Sequence, residues 1–271
     1  MPELPEVQNF ANALNKNYAG LKIKEIMFHR ENLRYPFEKK ELLKIFAFGN
    51  YFIRCYREGK QLVIKTSQGS VNISLGMSGS FKPITSVKKE KHQHVSLYFD
   101  NGEGVAYVDP RRFGFWKIKN ENNLNSNVCD PLNSKDLLNL FISDFIANKT
   151  CSVKDLLMDQ KFIGGIGNIY AIEALYLAGL HPQILCSHVP KKNWILLSKE
   201  IPNILQKAID LGGSSISTYL SLNGTKGSFQ DLHQVYGRVG ENCLKIGCKG
   251  VIQRVVQKGR SSYYCPICQK N

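Results

Sequence analysis

The chain has 271 residues, 43% of them hydrophobic and 10% aromatic, and carries a net charge of +14 from 36 Lys and Arg against 22 Asp and Glu. That length can bury a substantial core and fits one large or two modest domains. No run of about twenty apolar residues exists to span a bilayer and the first ten residues lack the features of a signal peptide, so the expectation is a cytoplasmic protein whose positive charge suits an anionic partner, nucleic acid first.

The chain opens MPELPEV, with two prolines and two carboxylates behind a methionine that processing commonly removes when a small residue follows. Two readings fit. Proline suits the first turn of a helix, where its missing N–H costs nothing, and Glu3 and Glu6 complement the positive end of the helix dipole. Alternatively, loss of Met1 gives Pro2 a free secondary amine. An α-amino group titrates at roughly pH 7.7 to 8.0, so part of it is nucleophilic near neutrality, with the Glu3 carboxyl beside it to move protons. Val7, Phe10, Leu14 and Tyr18 then recur at helical spacing until Gly20, which predicts a helix of about three turns.

From Leu21 to Ile118 the segments KIKEIMF, YFIRCY, QLVIKT, SVNISL, HVSLYF, GVAYV and FGFWKI are rich in β-branched and aromatic residues, with turn signals such as Asn101-Gly102 between them. They predict a β-sandwich or barrel-like domain behind the helix. The asparagine-rich text between Lys119 and Ser134 is the expected linker. Helical patterns follow at Lys135 to Ala147, Val153 to Asp159, Ile169 to Ala178 and Lys191 to Leu211, so a second, largely helical domain begins near residue 130.

Of eight cysteines, Cys55, Cys129, Cys151 and Cys186 are scattered and read as free thiols in or near the core. The other four form two close pairs, Cys243 with Cys248 and Cys265 with Cys268, separated by a strand-turn-strand length. This spacing suits one four-thiolate zinc site, structural because no position is left open for a catalytic water. The segment is basic, with Arg238, Lys245, Lys249, Arg254, Lys258, Arg260 and Lys270 against Glu241 alone. GGIGN at Gly164 to Asn168 opens a helix and can present backbone N–H groups to a phosphate, or it can serve tight helix packing. LGMSG at Leu75 to Gly79 and DPRRFG at Asp109 to Gly114 offer apolar wedges in Met77 and Phe113 and a base-edge donor in Arg111; the ordinary reading of the same residues is core and turn.

In order and spacing, MPELPEV, EGKQL around Lys60, LGMSG, EKHQH with His92, DPRRFG, GGIGNIYAIEAL, QVYGR and the four cysteines resemble the formamidopyrimidine-DNA glycosylase family over nearly the whole chain. The resemblance implies a bifunctional DNA glycosylase and abasic-site lyase of base excision repair, acting on oxidised purines such as 8-oxoguanine and formamidopyrimidines. It implies Pro2 as the nucleophile, Glu3 as the proton-transfer residue, and Lys60 as a catalytic residue that, with Asn168 and Arg260, binds phosphates. It also implies His92 and Arg111 on DNA, Met77, Arg111 and Phe113 filling the space vacated by the extruded base, and Glu6 and Glu173 in support. The implied fold is α+β: an N-terminal helix and β-sandwich over residues 1–130, a helix-two-turn-helix module over 131–237, and a zinc finger over 238–271 holding one zinc ion through Cys243, Cys248, Cys265 and Cys268. The implied protein is a monomer on damaged duplex DNA, associated with a bacterial-type nucleoid. Ser74 stands where many relatives carry His, and the loop Ser221 to Phe229, with Thr225 and Lys226 at its centre, departs from the commoner pattern. Two alternatives carry other functions: an endonuclease VIII-like enzyme for oxidised pyrimidines, against which Leu4 speaks, and a non-catalytic zinc-finger DNA-binding protein.

Overall fold

Glu3, with an extended backbone, starts the first helix, α1 (Leu4–Tyr18), which buries Val7, Phe10, Leu14 and Tyr18 along one face as their spacing predicts. It runs about one turn longer than that prediction. Pro5 sits in its first turn, and the Glu6 side chain returns to the Glu3 N–H at 2.7 Å in a capping box. The structure is a computed structural model that describes residues 2–85, 89–120, 128–214, 222, 224 and 226–270. Residues 121–127 of the expected linker, and Ser221, Asn223 and Thr225 of the loop Ser221 to Phe229, lie outside the described residues. The chain forms two compact units, residues 1–125 with 211–228 and residues 126–210 with 229–271.

In the first unit, α1 is followed by β1 (Ile23–Phe28), α2 (Lys39–Ile45), β2 (Phe52–Glu58), β3 (Gln61–Thr66), β4 (Gly69–Ser74), β5 (Ser80–Pro83), β6 (Gln93–Phe99), β7 (Gly104–Val108) and β8 (Phe115–Lys119). The strands make two antiparallel four-stranded sheets, ordered β1-β6-β7-β5 and β2-β3-β4-β8. Apolar residues of both sheets share one core, where the Phe81 ring of β5 lies 5.4 Å from Tyr107 of its own sheet and 6.2 Å from Trp116 of the other. This is the predicted sandwich, with α2 and β5 added. β5 has only four residues and ends in Pro83, a composition that suits an edge strand and carries little strand signal. α2 is two turns long, too short for its periodicity to stand out.

The second unit contains α3 (Ser134–Phe141), α4 (Asp144–Ala147), α5 (Val153–Met158), α6 (Asn168–Leu177), α7 (Lys191–Asp210) and the antiparallel hairpin β9 (Gln253–Gln257) and β10 (Arg260–Tyr264). The pattern from Lys135 to Ala147 predicts one helix, but Ser143 is extended and its hydroxyl donates to the Leu140 carbonyl at 2.6 Å, which splits the segment into α3 and α4. Helix α6 is buried from Tyr170 through Tyr176 and packs against α5, α7 and β10, as expected of a helix apolar all round. Its residues Ile172 and Tyr176 join Val235, Cys243, Ile252 and Cys265 in a small core beneath the hairpin.

Candidate active site

The N-terminal end of α1 is held from two directions. Glu6 is buried and divides its carboxylate, Oε2 accepting from the Glu3 N–H at 2.7 Å and Oε1 from the Ser214 N–H at 2.8 Å. Gly213 has a φ of +83°, and a Cβ there would come within 2.7 Å of Glu6 Oε1, so only glycine permits this approach. Along its length α1 is stapled to β2. Asn15 exchanges two hydrogen bonds of 2.6 Å with the Cys55 backbone, and Arg57 Nε donates to Gln8 Oε1 at 3.1 Å. Stepping from Asn15 back to Gln8 thus matches stepping from Cys55 on to Arg57, which points the Pro2 and Glu3 end toward the Gly59 and Lys60 turn between β2 and β3. Pro2, Glu3 and Glu6 are buried, and Lys60 is half-buried.

Met77 and Phe113, whose ordinary reading is core, are 43% and 44% exposed. Both sit in loops that cross between the sheets, residues 75–79 from β4 to β5 and residues 109–114 from β7 to β8. The exposed Arg111 guanidinium lies 4.8 Å from the Phe113 ring centre. His92, exposed and at φ 65°, reaches the same place, because its carbonyl accepts the Asp109 N–H at 3.1 Å. Ser74 uses its carbonyl for the Tyr107 hydroxyl at 3.3 Å and its own hydroxyl for the Gly76 N–H at 3.3 Å.

In the second unit the GGIGN turn is partly closed by the protein itself: the Gly164 N–H donates to the Cys129 carbonyl at 3.0 Å and the Gly165 N–H to Gln160 Oε1 at 2.8 Å. The expectation that this turn offers its backbone donors to a phosphate therefore does not extend to these two groups. Asn168 begins α6, and its Nδ2 donates to the Ser261 carbonyl at 3.0 Å, beside exposed Arg260. Lys154 meets the same strand, β10, Nζ donating to Ser262 Oγ at 2.6 Å; burial pushes its pKa down to about 8, with the Arg260 charge adding to the effect. Glu173 is buried on α6 and accepts the backbone N–H groups of Gln234, Val235 and Tyr236 at 2.8, 3.0 and 2.7 Å, fixing the chain that leads into the cysteine segment. Burial pushes its carboxyl pKa up, against those three bonds. Of the basic residues in that segment, Arg238 pairs with Glu241 at 2.9 Å and Lys258 with Asp155 at 3.2 Å.

The four clustered cysteines are free thiols whose sulfurs lie within 4.8 Å of one another. Zinc–sulfur bonds of about 2.3 Å in a tetrahedron require sulfur–sulfur edges of about 3.8 Å. The Cys243–Cys268, Cys248–Cys265 and Cys248–Cys268 edges are 3.8, 3.7 and 3.4 Å, so the residues present fit one zinc ion. Burial acts upward on Cys243, but hydrogen bonds from the Tyr176 hydroxyl, the Lys245 backbone and neighbouring thiols bring it down to about 7. Burial pushes Cys265 up, so metal binding there displaces a proton.

Three family models match in sequence order: the formamidopyrimidine-DNA glycosylase N-terminal domain over residues 1–116, the formamidopyrimidine-DNA glycosylase H2TH domain over 128–220, and the zinc finger found in FPG and IleRS over 240–271. The chain is 36% identical over 282 residues to the formamidopyrimidine-DNA glycosylase of Gluconobacter oxydans, covering 100% of both chains. The chain belongs to the formamidopyrimidine-DNA glycosylase family. Solved relatives agree: a Lactococcus lactis Fpg in complex with DNA containing an abasic site is 31% identical with a TM-score of 0.86, covering 99% of this chain and 100% of that one. A variant of the same enzyme with Fapy-dG-containing DNA gives 31% identity and 0.86 over 100% of both. The protein is a DNA glycosylase of base excision repair with one structural zinc site.

The chain also contains supporting residues that pattern reading passes over. The Ser214 N–H binds Glu6, and Gly213 makes room for it, from more than two hundred residues away, a partnership with no local signal. Gln160, which closes the GGIGN turn, looks like an ordinary loop residue. Lys154 does leave a trace, since it lies among the buried apolar residues Val153, Leu156 and Leu157 of α5.

Proposed function

We propose that the chain excises oxidised purines, 8-oxoguanine and ring-opened formamidopyrimidines, and then cuts the strand at the abasic site, with Pro2 as nucleophile. Once Met1 is removed, the Pro2 nitrogen attacks C1′ of the damaged nucleotide, the bond from C1′ to the base breaks, and the sugar opens to an iminium on Pro2. Glu3 carries the proton that the opening sugar needs. Loss of the C2′ proton then breaks the C3′–O bond, a second elimination breaks the C5′–O bond, and water releases the sugar fragment from Pro2. Lys60, Asn168, His92 and Arg260 hold backbone phosphates around the extruded nucleotide, while Met77, Arg111 and Phe113 occupy the space it leaves. The work divides over residues 1–130, which carry the chemistry, 131–237, which grip DNA, and 238–271, the zinc finger, in a monomer located in the cytoplasm.

The single observation that carries this reading is the register of α1 on β2. It directs the Pro2 and Glu3 end toward the Lys60 turn, while Glu6 ties that end to Ser214. Leu4 and the Fapy-dG complex of the Lactococcus lactis relative support the purine substrate. The test is single-turnover excision on matched 8-oxoguanine and oxidised-pyrimidine duplexes with the wild type and Glu3→Gln. The reading expects faster excision of 8-oxoguanine and a strong loss in the variant with folding intact; preference for the pyrimidine duplex contradicts it.

A further inference from the structure

The loops carrying Met77 and Phe113 are joined to each other. Strands β4 and β8 pair as far as Ser74 opposite Phe115, and β5 and β7 pair as far as Ser80 opposite Val108. Residues 75–79 and 109–114 therefore cross side by side between the same two pairs of strands, one from each sheet. Asp109 is fully buried at this crossing. Its Oδ1 accepts the Ser78 hydroxyl at 2.6 Å and the Arg111 N–H at 3.3 Å; its Oδ2 accepts the Gly114 N–H at 2.9 Å and lies 3.5 Å from the Tyr107 hydroxyl, whose proton it shares with the Ser74 carbonyl. Ser78 Oγ in turn accepts the Arg111 N–H at 3.1 Å, so one hydroxyl bridges Asp109 and the backbone of Arg111. The His94 ring bonds the Asp109 carbonyl at 2.8 Å and ties the crossing to β6. Packing seals it: Gly76 stands at φ +59°, and a Cβ there would lie 2.5 Å from the Phe113 carbonyl carbon. A buried carboxylate with its acceptor positions filled, against loops that touch backbone to backbone, holds one arrangement and resists others.

Building on the reading of Met77, Arg111 and Phe113 as insertion residues, we propose that Ser78 and Asp109 form a clasp that makes the two loops one insertion unit. Ser78 and Asp109 are then positioning residues for lesion extrusion and for reading the opposite base. Neither touches DNA in this account. The clasp fixes the distance from the Met77 side chain to the Arg111 and Phe113 pair, so that all three enter the duplex together, and it orients the Arg111 backbone from which the base-reading guanidinium extends.

The experiment is a kinetic cycle on the zinc-loaded full chain. Ser78→Ala is the perturbation of choice, because it removes the hydroxyl between the loops and leaves Asp109 its bonds to Gly114 and Arg111; Asp109 itself is too deeply buried to change safely. Single-turnover excision from an 8-oxoguanine duplex is measured for Met77→Ala, Phe113→Ala and the double variant, with Ser78 present and with Ser78→Ala. The clasp predicts that the two losses are non-additive by about threefold or more when Ser78 is present, as for residues sharing one network, and that they multiply independently in Ser78→Ala. Ser78→Ala alone lowers discrimination by the opposite base and lowers the melting temperature by a few degrees, because the fully buried Asp109 loses its 2.6 Å donor, while cleavage of a preformed abasic site by the still-folded variant changes little; Ser78→Thr, which keeps the hydroxyl, restores discrimination. If Met77→Ala and Phe113→Ala act selectively on the lesion duplex but their effects combine identically in both backgrounds, the clasp is wrong and the insertion reading stands. If neither variant acts selectively, the insertion reading fails and takes the clasp with it.

Discussion

Shortening Met77 or Phe113 to Ala separates a wedge from a core residue by magnitude. Fully burying such a side chain is worth about 1.5–3 kcal/mol. Met77 is 43% and Phe113 44% exposed in the free protein, so the share left to be buried in the gap of an opened base stack is about 0.6–1.3 kcal/mol each. That converts to a loss of about three- to ninefold in the rate of excision from an 8-oxoguanine duplex for either variant. The share already buried is worth about 0.9–1.7 kcal/mol, which lowers the melting temperature by about 2–6 °C and leaves the protein folded at assay temperature. A preformed abasic site has no base to extrude, so cleavage there falls much less. The assay is a pair of single-turnover rates, on the lesion duplex and on the abasic duplex, alongside a melting curve. If both rates fall in parallel with the loss of stability, the residues are structural and the wedge reasoning is refuted.

Glu173→Ala strands three backbone N–H groups inside the second unit; we expect a stability loss of about 2–4 kcal/mol in denaturant unfolding, and a loss under about 0.5 kcal/mol contradicts the role assigned to that carboxylate. Cys265→Ser should release the metal and weaken DNA binding together, whereas single changes of Cys55, Cys129, Cys151 or Cys186 should leave the metal content intact; elemental analysis and a binding isotherm on the same preparations decide. DNA affinity should fall roughly a thousandfold or more between about 50 and 200 mM salt if six or more phosphates are neutralised, and Arg260→Ala should reduce the salt slope by about one on damaged and undamaged duplexes alike. An unchanged slope in that variant removes Arg260 from the phosphate contacts.

What could be read in the sequence was whatever is encoded by local spacing. Val7, Phe10, Leu14 and Tyr18 mark α1 because a helix returns the same face every three to four residues. The cysteine pairs mark the metal site because four thiolates at that spacing can close one tetrahedral zinc site. The alternating segments marked seven of the eight sandwich strands, and β5 escaped because four residues ending in proline carry almost no pattern. What could not be read depends on long-range topology. DPRRFG looks like a polar turn until β4, β5, β7 and β8 bring Asp109 against Ser78, and Met77 and Phe113 look like core until the crossing loops turn them outward. Lys154 stands among buried apolar residues of α5, but its partner Ser262 lies on β10, more than a hundred residues away.

Borohydride trapping on an 8-oxoguanine duplex shows directly whether the Pro2 amine is the nucleophile. Two preparations are compared, their N-termini verified by mass: one beginning at Pro2, the other retaining Met1. Both should bind the duplex. Only the protein beginning at Pro2 should form a covalent protein–DNA product, because in the other the Pro2 nitrogen is an amide without a nucleophilic lone pair. Efficient trapping by protein that retains Met1 would show that another group attacks C1′ and would overturn the mechanism.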